Sequence, residues 1–175
     1  MSIKEIRTNL PDYAKDIKIN LGNILTEEES SGLSQKQLYA IALACAYATK
    51  HQELIIAVNS DANDILSVNE INAAKSAATI MAMNNIYYRF IHLVSDKDYA
   101  KMPAGLRMNV IANPGVDKVE FELYSLAVSA INGCGMCIDS HVHQLVKSGV
   151  SKQAIQSTIK IAAVINATAQ AMIIM

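Results

Sequence analysis

This sequence has few of the residues that interrupt helices, with three prolines and seven glycines among 175 residues. Strand patterns, in which polar and apolar residues alternate between turn-forming pairs, are almost absent. Apolar residues recur instead at helical spacing, in a chain rich in alanine, leucine, isoleucine and methionine. These features predict an all-α fold.

Charge of one sign is not in excess, because 15 basic residues face 16 acidic ones. Proteins that bind nucleic acids neutralise phosphates with clustered lysine and arginine, so no nucleic-acid partner is expected. No apolar run approaches the roughly 20 residues that span a bilayer. The first residues carry charges at short intervals and lack the apolar core of a secretory signal. The sequence therefore predicts a cytoplasmic protein with no membrane partner.

The chain has three cysteines, Cys45, Cys134 and Cys137. A secreted disulfide scaffold of this length would carry more of them, in an even number. In a reducing cytosol, a close pair such as Cys134 and Cys137 is expected to be catalytic or metal-binding. Cys45 lies in an alanine-rich segment and is expected to be a small core residue.

Helix boundaries can be predicted from capping residues and breakers. Ser34 and Ser67 are each followed three residues later by glutamine or glutamate, which is the capping-box spacing. Two other helix starts are expected at Asp117 and Ser151. A first helix is predicted to begin after proline 11 and to end near residue 23, and a further start is predicted at residues 26–29. Residues 99–114 are predicted to be irregular.

Two segments of the chain resemble each other, residues 35–92 and residues 117–175. The best local match aligns Gln37–Ala44 with Glu122–Ser129. A chance match between two helices rich in alanine and leucine is the alternative explanation. We expect one domain over residues 1–175, a helical bundle built from two similar halves. Since the cysteine pair occurs in the second half only, the first half is expected to be structural.

The cysteine pair follows the helix breaker Asn132–Gly133, so Cys134 is expected to open a helix. The free amides of a first helical turn stabilise a thiolate and lower the pKa of a thiol. The thiolate is the reactive form in peroxide reduction and in disulfide exchange. This position therefore favours redox chemistry at the pair.

His141 lies four residues after Cys137 and seven after Cys134, so the three side chains share one helix face. An imidazole there can take the thiol proton or stabilise the thiolate. Glu122 lies on the preceding helix. If the two helices fold back on each other, its carboxylate can hold the imidazole or serve in a proton relay.

A zinc-stabilised binding module is one alternative, with Cys134, Cys137, His141 and His143 as four candidate ligands. His143 follows His141 by two residues and points to another side of a helix. Zinc fingers also separate their cysteine and histidine pairs by more residues than this chain does. The pattern therefore fits zinc poorly.

Inert, buried cysteines are a second alternative. The glycines beside them, Gly133 and Gly135, instead indicate exposed backbone at this point. A thioredoxin-like site is disfavoured because the required strands are missing. Two other features are less informative: Asn84 and Asn85, inside a predicted helix, are expected to cap or bridge neighbouring helices.

A resemblance to a known family rests on four residues at the spacing Glu-x11-Cys-x2-Cys-x3-His, which are Glu122, Cys134, Cys137 and His141. The segments Ala130–Cys134 and Met81–Phe90 also carry it. The sequence resembles the alkyl hydroperoxidase D family, within the carboxymuconolactone-decarboxylase-like fold, over its whole length.

The resemblance implies an all-α homotrimer without a bound cofactor. It implies an antioxidant enzyme that reduces hydroperoxides and regenerates a partner peroxiredoxin, the alkyl hydroperoxide reductase C protein. Electrons would come from dihydrolipoamide, carried on a lipoylated dihydrolipoamide succinyltransferase. A disulfide reductase with little direct peroxidase activity is a second possibility that uses the same residues. A decarboxylase is a third, but no substrate site for it is marked in the sequence.

The resemblance also implies roles for the four residues. Cys137 would attack the peroxide, form the sulfenic acid and pair with the partner's cysteine, and Cys134 would be the proton donor and resolving thiol of a Cys134–Cys137 disulfide. His141 and Glu122 would form the proton relay. Helix-end electrostatics alone favour Cys134 as the more acidic thiol, whereas the spacing to His141 favours Cys137. Met136 stands where some relatives have a second histidine.

Overall fold

The computed structural model describes all 175 residues and contains nine α-helices and no strand. The prediction of an all-α fold is confirmed. None of the helices has both the length and the apolar character needed to cross a lipid bilayer. The helices are α1 (Ile3–Asn9), α2 (Lys15–Asn23), α3 (Gln35–Thr49), α4 (Gln52–Ala62), α5 (Val68–Leu93), α6 (Asn109–Ala112), α7 (Lys118–Ile131), α8 (Gly135–Lys147) and α9 (Lys152–Ile173).

The capping residues of the long helices are the ones predicted. Ser34 and Ser67 form complete capping boxes, in which the hydroxyl accepts from the third amide and that residue's side chain accepts from the cap amide. The side chains of Asp117 and Ser151 accept from backbone amides at the starts of α7 and α9. These caps satisfy amide groups that have no partner inside the helix.

The N-terminal region differs from the prediction. A helix precedes proline 11, because Ser2 and Glu5 form a capping box that starts α1. A short 3-10 turn over Asp12–Ala14 then leads into α2. The predicted helix start at residues 26–29 is wrong, since that segment forms turns. There the Thr26 hydroxyl donates to the carbonyl of Asn23 and accepts from the amide of Glu29, so it stabilises a local turn that no helix continues.

Helix α3 forms the centre of the bundle and packs against α5, α7 and α9. Every residue from Ala40 to Ala46 is buried. A helix that is apolar on all sides is stable only inside a core, and the small alanine side chains let the neighbouring helices approach closely. Cys45 is part of this buried segment, as the sequence predicts.

Helix α8 lies at the surface and packs mainly against α7 and α5. Only Cys137 and Leu145 are buried along it. These two positions and His141 between them are spaced four residues apart, so they form one stripe that faces the bundle. The stripe brings the candidate redox residues against the side chains of α7 and α5.

The internal repeat stays a prediction, but the helix ends bear on its register. The N-cap positions Ser34 and Asp117 are 83 residues apart, and so are His51 and Cys134, the N-caps of α4 and α8. Such a register pairs Tyr39, not Gln37, with Glu122. The helix ends of the two halves therefore correspond in a register different from that of the local sequence match.

Candidate redox site

The turn between α7 and α8 is built by backbone hydrogen bonds that end one helix and start the next. Gly133 has a φ of 68°, in the left-handed region that favours glycine. Its amide donates to the carbonyl of Ala130, and the amide of Cys134 donates to that of Ser129 at 3.1 Å. This pair of bonds is the Schellman motif. It leaves Cys134 extended and ready to cap α8.

Cys134 is the N-cap residue of α8, and its Sγ accepts a hydrogen bond from the amide of Cys137 at 3.3 Å. The two cysteines form a disulfide, with their Cα atoms 5.3 Å apart. Cys134 is fully buried and Cys137 is 7% exposed. The glycines beside them, Gly133 and Gly135, are exposed. The expectation of an open backbone therefore holds, whereas both sulfur-bearing side chains are buried.

His141 and Glu122 form a direct contact between α8 and α7. Nδ1 of His141 lies 2.7 Å from Oε2 of Glu122, and the two side chains are 12% and 21% exposed. A carboxylate only accepts hydrogen bonds, so it holds the proton on Nδ1 and leaves Nε2 as an acceptor. The two helices thus fold back on each other as the sequence suggests.

A cavity of about 590 Å³ opens beside these residues. Cys137, His141 and Glu122 line it, whereas Cys134 does not. Its apolar wall consists of Met81, Tyr88, Met108, Ile111 and Met136. The cavity therefore exposes one sulfur of the pair, together with an acid–base group, to a ligand that has an apolar part.

The wall residues Met108 and Ile111 come from the segment that the sequence predicts to be irregular. This segment begins within a 3-10 helix over Lys97–Lys101 and contains the short α6, and the residues between the two have no regular structure. No spacing pattern links it to the cysteines, because it reaches the site only through the fold. Tyr88 could have been found, since it lies within the Met81–Phe90 segment that carries the resemblance.

Three side-chain hydrogen bonds connect α5 to the end of α7 and to the turn between α7 and α8. Nδ2 of Asn85 donates to the Ser129 hydroxyl, and Nδ2 of Asn132 donates to Oδ1 of Asn85, both at 2.9 Å. The Arg89 guanidinium donates to the carbonyl of Asn132 at 2.6 Å. Asn85 bridges α5 and α7 as expected. This contact set fixes the end of α7, from which Cys134 is positioned.

Asn84 behaves differently from its neighbour. It is 5% exposed and lines the cavity, but its Oδ1 has no hydrogen-bond partner. The expectation that Asn84 caps or bridges helices is therefore wrong, because its Oδ1 makes no such contact.

The remaining candidate ligands do not gather around a metal position. His143 is exposed, whereas His141 faces Glu122. No three His, Cys, Asp or Glu side chains are arranged to hold a metal ion. Cys45 is fully buried, and burial raises the pKa of its thiol. It is the one free cysteine, and it lies in the core.

Comparison with known proteins places this chain in a family. The chain is 56% identical over 172 residues to the alkyl hydroperoxide reductase AhpD of Coxiella burnetii (strain RSA 493 / Nine Mile phase I), covering 98% of this chain and 97% of the relative. The chain belongs to the alkyl hydroperoxide reductase AhpD family. The resemblance noted from the four-residue motif is thereby confirmed.

Other AhpD relatives match over the same length. The protein of that name from Rhodopseudomonas palustris (strain BisA53) is 54% identical over 169 residues, which cover 97% of this chain and 92% of the relative. That from Brucella suis (strain ATCC 23445 / NCTC 10510) is 49% identical over 172 residues, with 98% and 97% covered. The Carboxymuconolactone decarboxylase family model matches residues 97–173, which include the whole α7–α8 turn.

Proposed function

We propose that this chain is a thiol-dependent alkyl hydroperoxide reductase that reacts through Cys137 and Cys134. One observation carries the proposal: the disulfide between these residues lies beside the Glu122–His141 pair, and Cys137 alone of the two lines the cavity. Membership of the AhpD family supports it, since its named relatives are alkyl hydroperoxide reductases.

The oxidative half-reaction starts from the reduced pair. The Cys137 thiolate attacks the terminal oxygen of a hydroperoxide, an S–O bond forms and the O–O bond breaks. The alkoxide leaves as an alcohol after it takes a proton, for which the Cys134 thiol is the donor. Cys137 is then a sulfenic acid. The apolar wall of the cavity favours organic hydroperoxides, because it can bury their alkyl part.

His141 and Glu122 supply the proton handling. With the Glu122 carboxylate on Nδ1, Nε2 of His141 is free to take the proton of the Cys137 thiol. The resulting imidazolium stays paired with the carboxylate, which stabilises the thiolate beside it. This pairing offsets the helix-end effect that favours a thiolate at Cys134.

The second step closes the disulfide. The Cys134 thiolate attacks the Cys137 sulfenic acid, so a sulfur–sulfur bond forms and the S–O bond breaks. The hydroxide takes a proton from the His141 imidazolium and leaves as water. Dihydrolipoamide then reduces the disulfide by thiol–disulfide exchange and becomes lipoamide, which restores both thiols. The physiological carrier in this proposal is a lipoylated dihydrolipoamide succinyltransferase. A reducing compartment, the cytoplasm, suits this cycle.

The second part of the proposal is reduction of a partner peroxiredoxin, the alkyl hydroperoxide reductase C protein. Cys137 would form the mixed disulfide with the partner, because it is the sulfur that faces an opening. Cys134 would then resolve that disulfide. The chain would act as a homotrimer, as the family resemblance implies.

The test is hydroperoxide consumption by metal-stripped protein, with dihydrolipoamide as the only reductant and tert-butyl hydroperoxide as substrate. Steady turnover is expected, with one dihydrolipoamide oxidised for each hydroperoxide lost. Absence of turnover, with both thiols demonstrably reduced, would contradict direct peroxidase activity. Loss of activity on metal removal would contradict a metal-free thiol mechanism.

The same preparation separates the peroxidase from a dedicated disulfide reductase. Oxidised peroxiredoxin replaces the hydroperoxide, and the appearance of peroxiredoxin thiols is followed. Rapid reduction of the peroxiredoxin beside slow peroxide loss would assign the chain as a reductase. Rapid reaction in both assays is the expected result.

A further inference from the structure

The side chain of Asn84 is unusual among the buried polar groups of this protein. Its Oδ1 is buried without a hydrogen-bond partner, and one other side-chain atom, Oγ of Ser125, shares this condition. An unsatisfied buried polar group destabilises the folded protein. Asparagine is also a poor residue for a helix interior. Asn84 therefore lowers the stability of α5. Its presence at this position needs a reason other than stability.

Asn84 differs from its neighbour Asn85 and from Ser125 in what it faces. Asn85 is fully engaged with Ser129 and Asn132. Ser125 is fully buried and does not line the redox cavity. Asn84 lines that cavity together with Cys137 and is 5% exposed. It thus combines a buried, unused acceptor with a side chain that forms part of the wall of the cavity in which the peroxide would react.

From this combination we infer that Asn84 is a catalytic residue that binds the peroxide oxygen through its carboxamide. The inference rests on the proposed function and adds to it a contact on α5, the helix that faces the redox pair from across the cavity. Rotation of the side-chain amide turns Oδ1 of Asn84 toward the cavity, where it accepts from the terminal O–H of a hydroperoxide. This bond orients the terminal peroxide oxygen toward the Cys137 sulfur.

The same contact persists through the oxidative step. The Cys137 thiolate forms its S–O bond with the oriented oxygen while the O–O bond breaks, and the alkoxide takes a proton and leaves as the alcohol. The hydroxyl left on Cys137 as sulfenic acid keeps its hydrogen and still donates to Oδ1. Once water leaves and the disulfide closes, Asn84 has no partner, as in the disulfide form described here.

The experiment compares two variants, Asn84→Leu and Asn84→Ala, by steady-state kinetics. In a two-step cycle, kcat/KM for the hydroperoxide reports the oxidative half, and kcat/KM for dihydrolipoamide reports the reductive half. We expect an about 10-fold loss in the first constant, the size of one hydrogen bond to an uncharged group. The second constant should stay within about twofold.

Thermal unfolding separates this role from a structural one. Asn84→Leu replaces an unsatisfied polar group by an apolar group of similar shape, so its Tm should equal or exceed that of the parent. Asn84→Ala leaves the cavity open and guards against a steric block by leucine. Ser125→Ala is the matched control, because it removes the other unpartnered atom and should leave both kinetic constants unchanged.

Two results overturn the inference while the proposed function stands. One is an unchanged hydroperoxide constant in both Asn84 variants. The other is an equal fall of both constants with a lower Tm, which would assign Asn84 to folding. If the parent protein consumes no hydroperoxide, the proposed function fails and this inference falls with it, a result that the Asn84 variants cannot imitate.

Discussion

The turn between α3 and α4 and the turn between α7 and α8 have closely similar backbones but different side chains. Each has a residue in the left-handed region, Lys50 with a φ of 62° and Gly133 with a φ of 68°. The next residue caps the following helix through its side chain. His51 accepts from an amide through Nδ1 at 3.4 Å, and Cys134 accepts through Sγ at 3.3 Å.

The positions that follow the two caps differ in their surroundings. Three residues after His51 is Leu54, which is fully buried, and four residues later is Val58, also fully buried. At the same distances from Cys134 lie Cys137 and His141, which line a cavity. Two turns with the same backbone arrangement therefore differ in a few side chains and in the cavity beside one of them. We expect redox reactivity only at the turn whose side chains line the cavity.

The largest effect on activity is expected when the proposed reactive sulfur at the α7–α8 turn is removed. Cys137→Ser should lower hydroperoxide turnover by on the order of 10³-fold, because a serine hydroxyl is not ionised at neutral pH. Hydroperoxide loss in the presence of dihydrolipoamide measures it. Cys45→Ala is the control, since the buried Cys45 thiol has a raised pKa and should contribute nothing. Unchanged turnover in Cys137→Ser would remove the proposed mechanism.

The next largest effect on activity concerns the Glu122–His141 pair, which has no counterpart at the α3–α4 turn. Glu122→Gln should lower turnover by about 10- to 100-fold, because a neutral amide no longer stabilises the imidazolium of His141. Glu120→Gln is the matched control on the same helix. Glu120 accepts from Gln37 and Tyr124 and does not contact His141. Equal losses in both variants would show a general effect on α7, and would contradict the relay.

A smaller effect tests the left-handed residue of each turn. Gly133→Ala should destabilise the protein by about 1–2 kcal/mol, since its φ is 68° although a Cβ there would meet open space. Lys50→Gly should have the opposite sign, with a gain of up to about 1 kcal/mol. Chemical denaturation measures both changes in the free energy of unfolding.

Gly135→Ala provides the control for these backbone variants. Gly135 lies in the helical region at the start of α8, and a Cβ there also meets open space. We expect a small stabilisation, of about 0.4–1 kcal/mol. A loss of stability in Gly135→Ala would mean that side chains, not the left-handed φ, limit this turn.

The smallest effect compares the caps of the third helix in each half. Burial raises the pKa of Glu70, but hydrogen bonds from Ser67 and the charge of Lys36 outweigh it and lower the pKa below its ordinary value. The cap of α9 has Ala154 at the corresponding position and no carboxylate. Because the folded pKa of Glu70 is depressed, its contribution is present above the unfolded pKa and is lost as the pH falls through the folded pKa.

Glu70→Gln should therefore lower stability at pH 7 by less than about 1 kcal/mol, given that Glu70 is partly exposed. The difference in Tm between Glu70→Gln and the parent should shrink below a pH of about 4.3, the ordinary value for glutamate. A difference that grows in acid would have the wrong sign and would contradict the depressed pKa.

Most helix starts were predictable because their capping chemistry is local. Ser34 with Gln37, and Ser67 with Glu70, mark their helices through contacts three residues apart. The segment at residues 26–29 misled because its acidic residues resemble a helix start, whereas the chain turns there. The helix before proline 11 was missed although Ser2 and Glu5 form the same type of cap. The capping residues were present in the sequence, but the helix that follows them has only seven residues.

The sequence by itself determined the all-α fold, the helix that begins at the cysteine pair and the common face of Cys137 and His141, because these depend on spacing along a single helix. Only the tertiary structure decided which sulfur meets the cavity, that Glu122 lies 2.7 Å from His141, and that Asn84 faces the same cavity while Asn85 does not. These relations join α5, α7 and α8. They depend on how separate helices pack against one another, which no pattern within a single helix encodes.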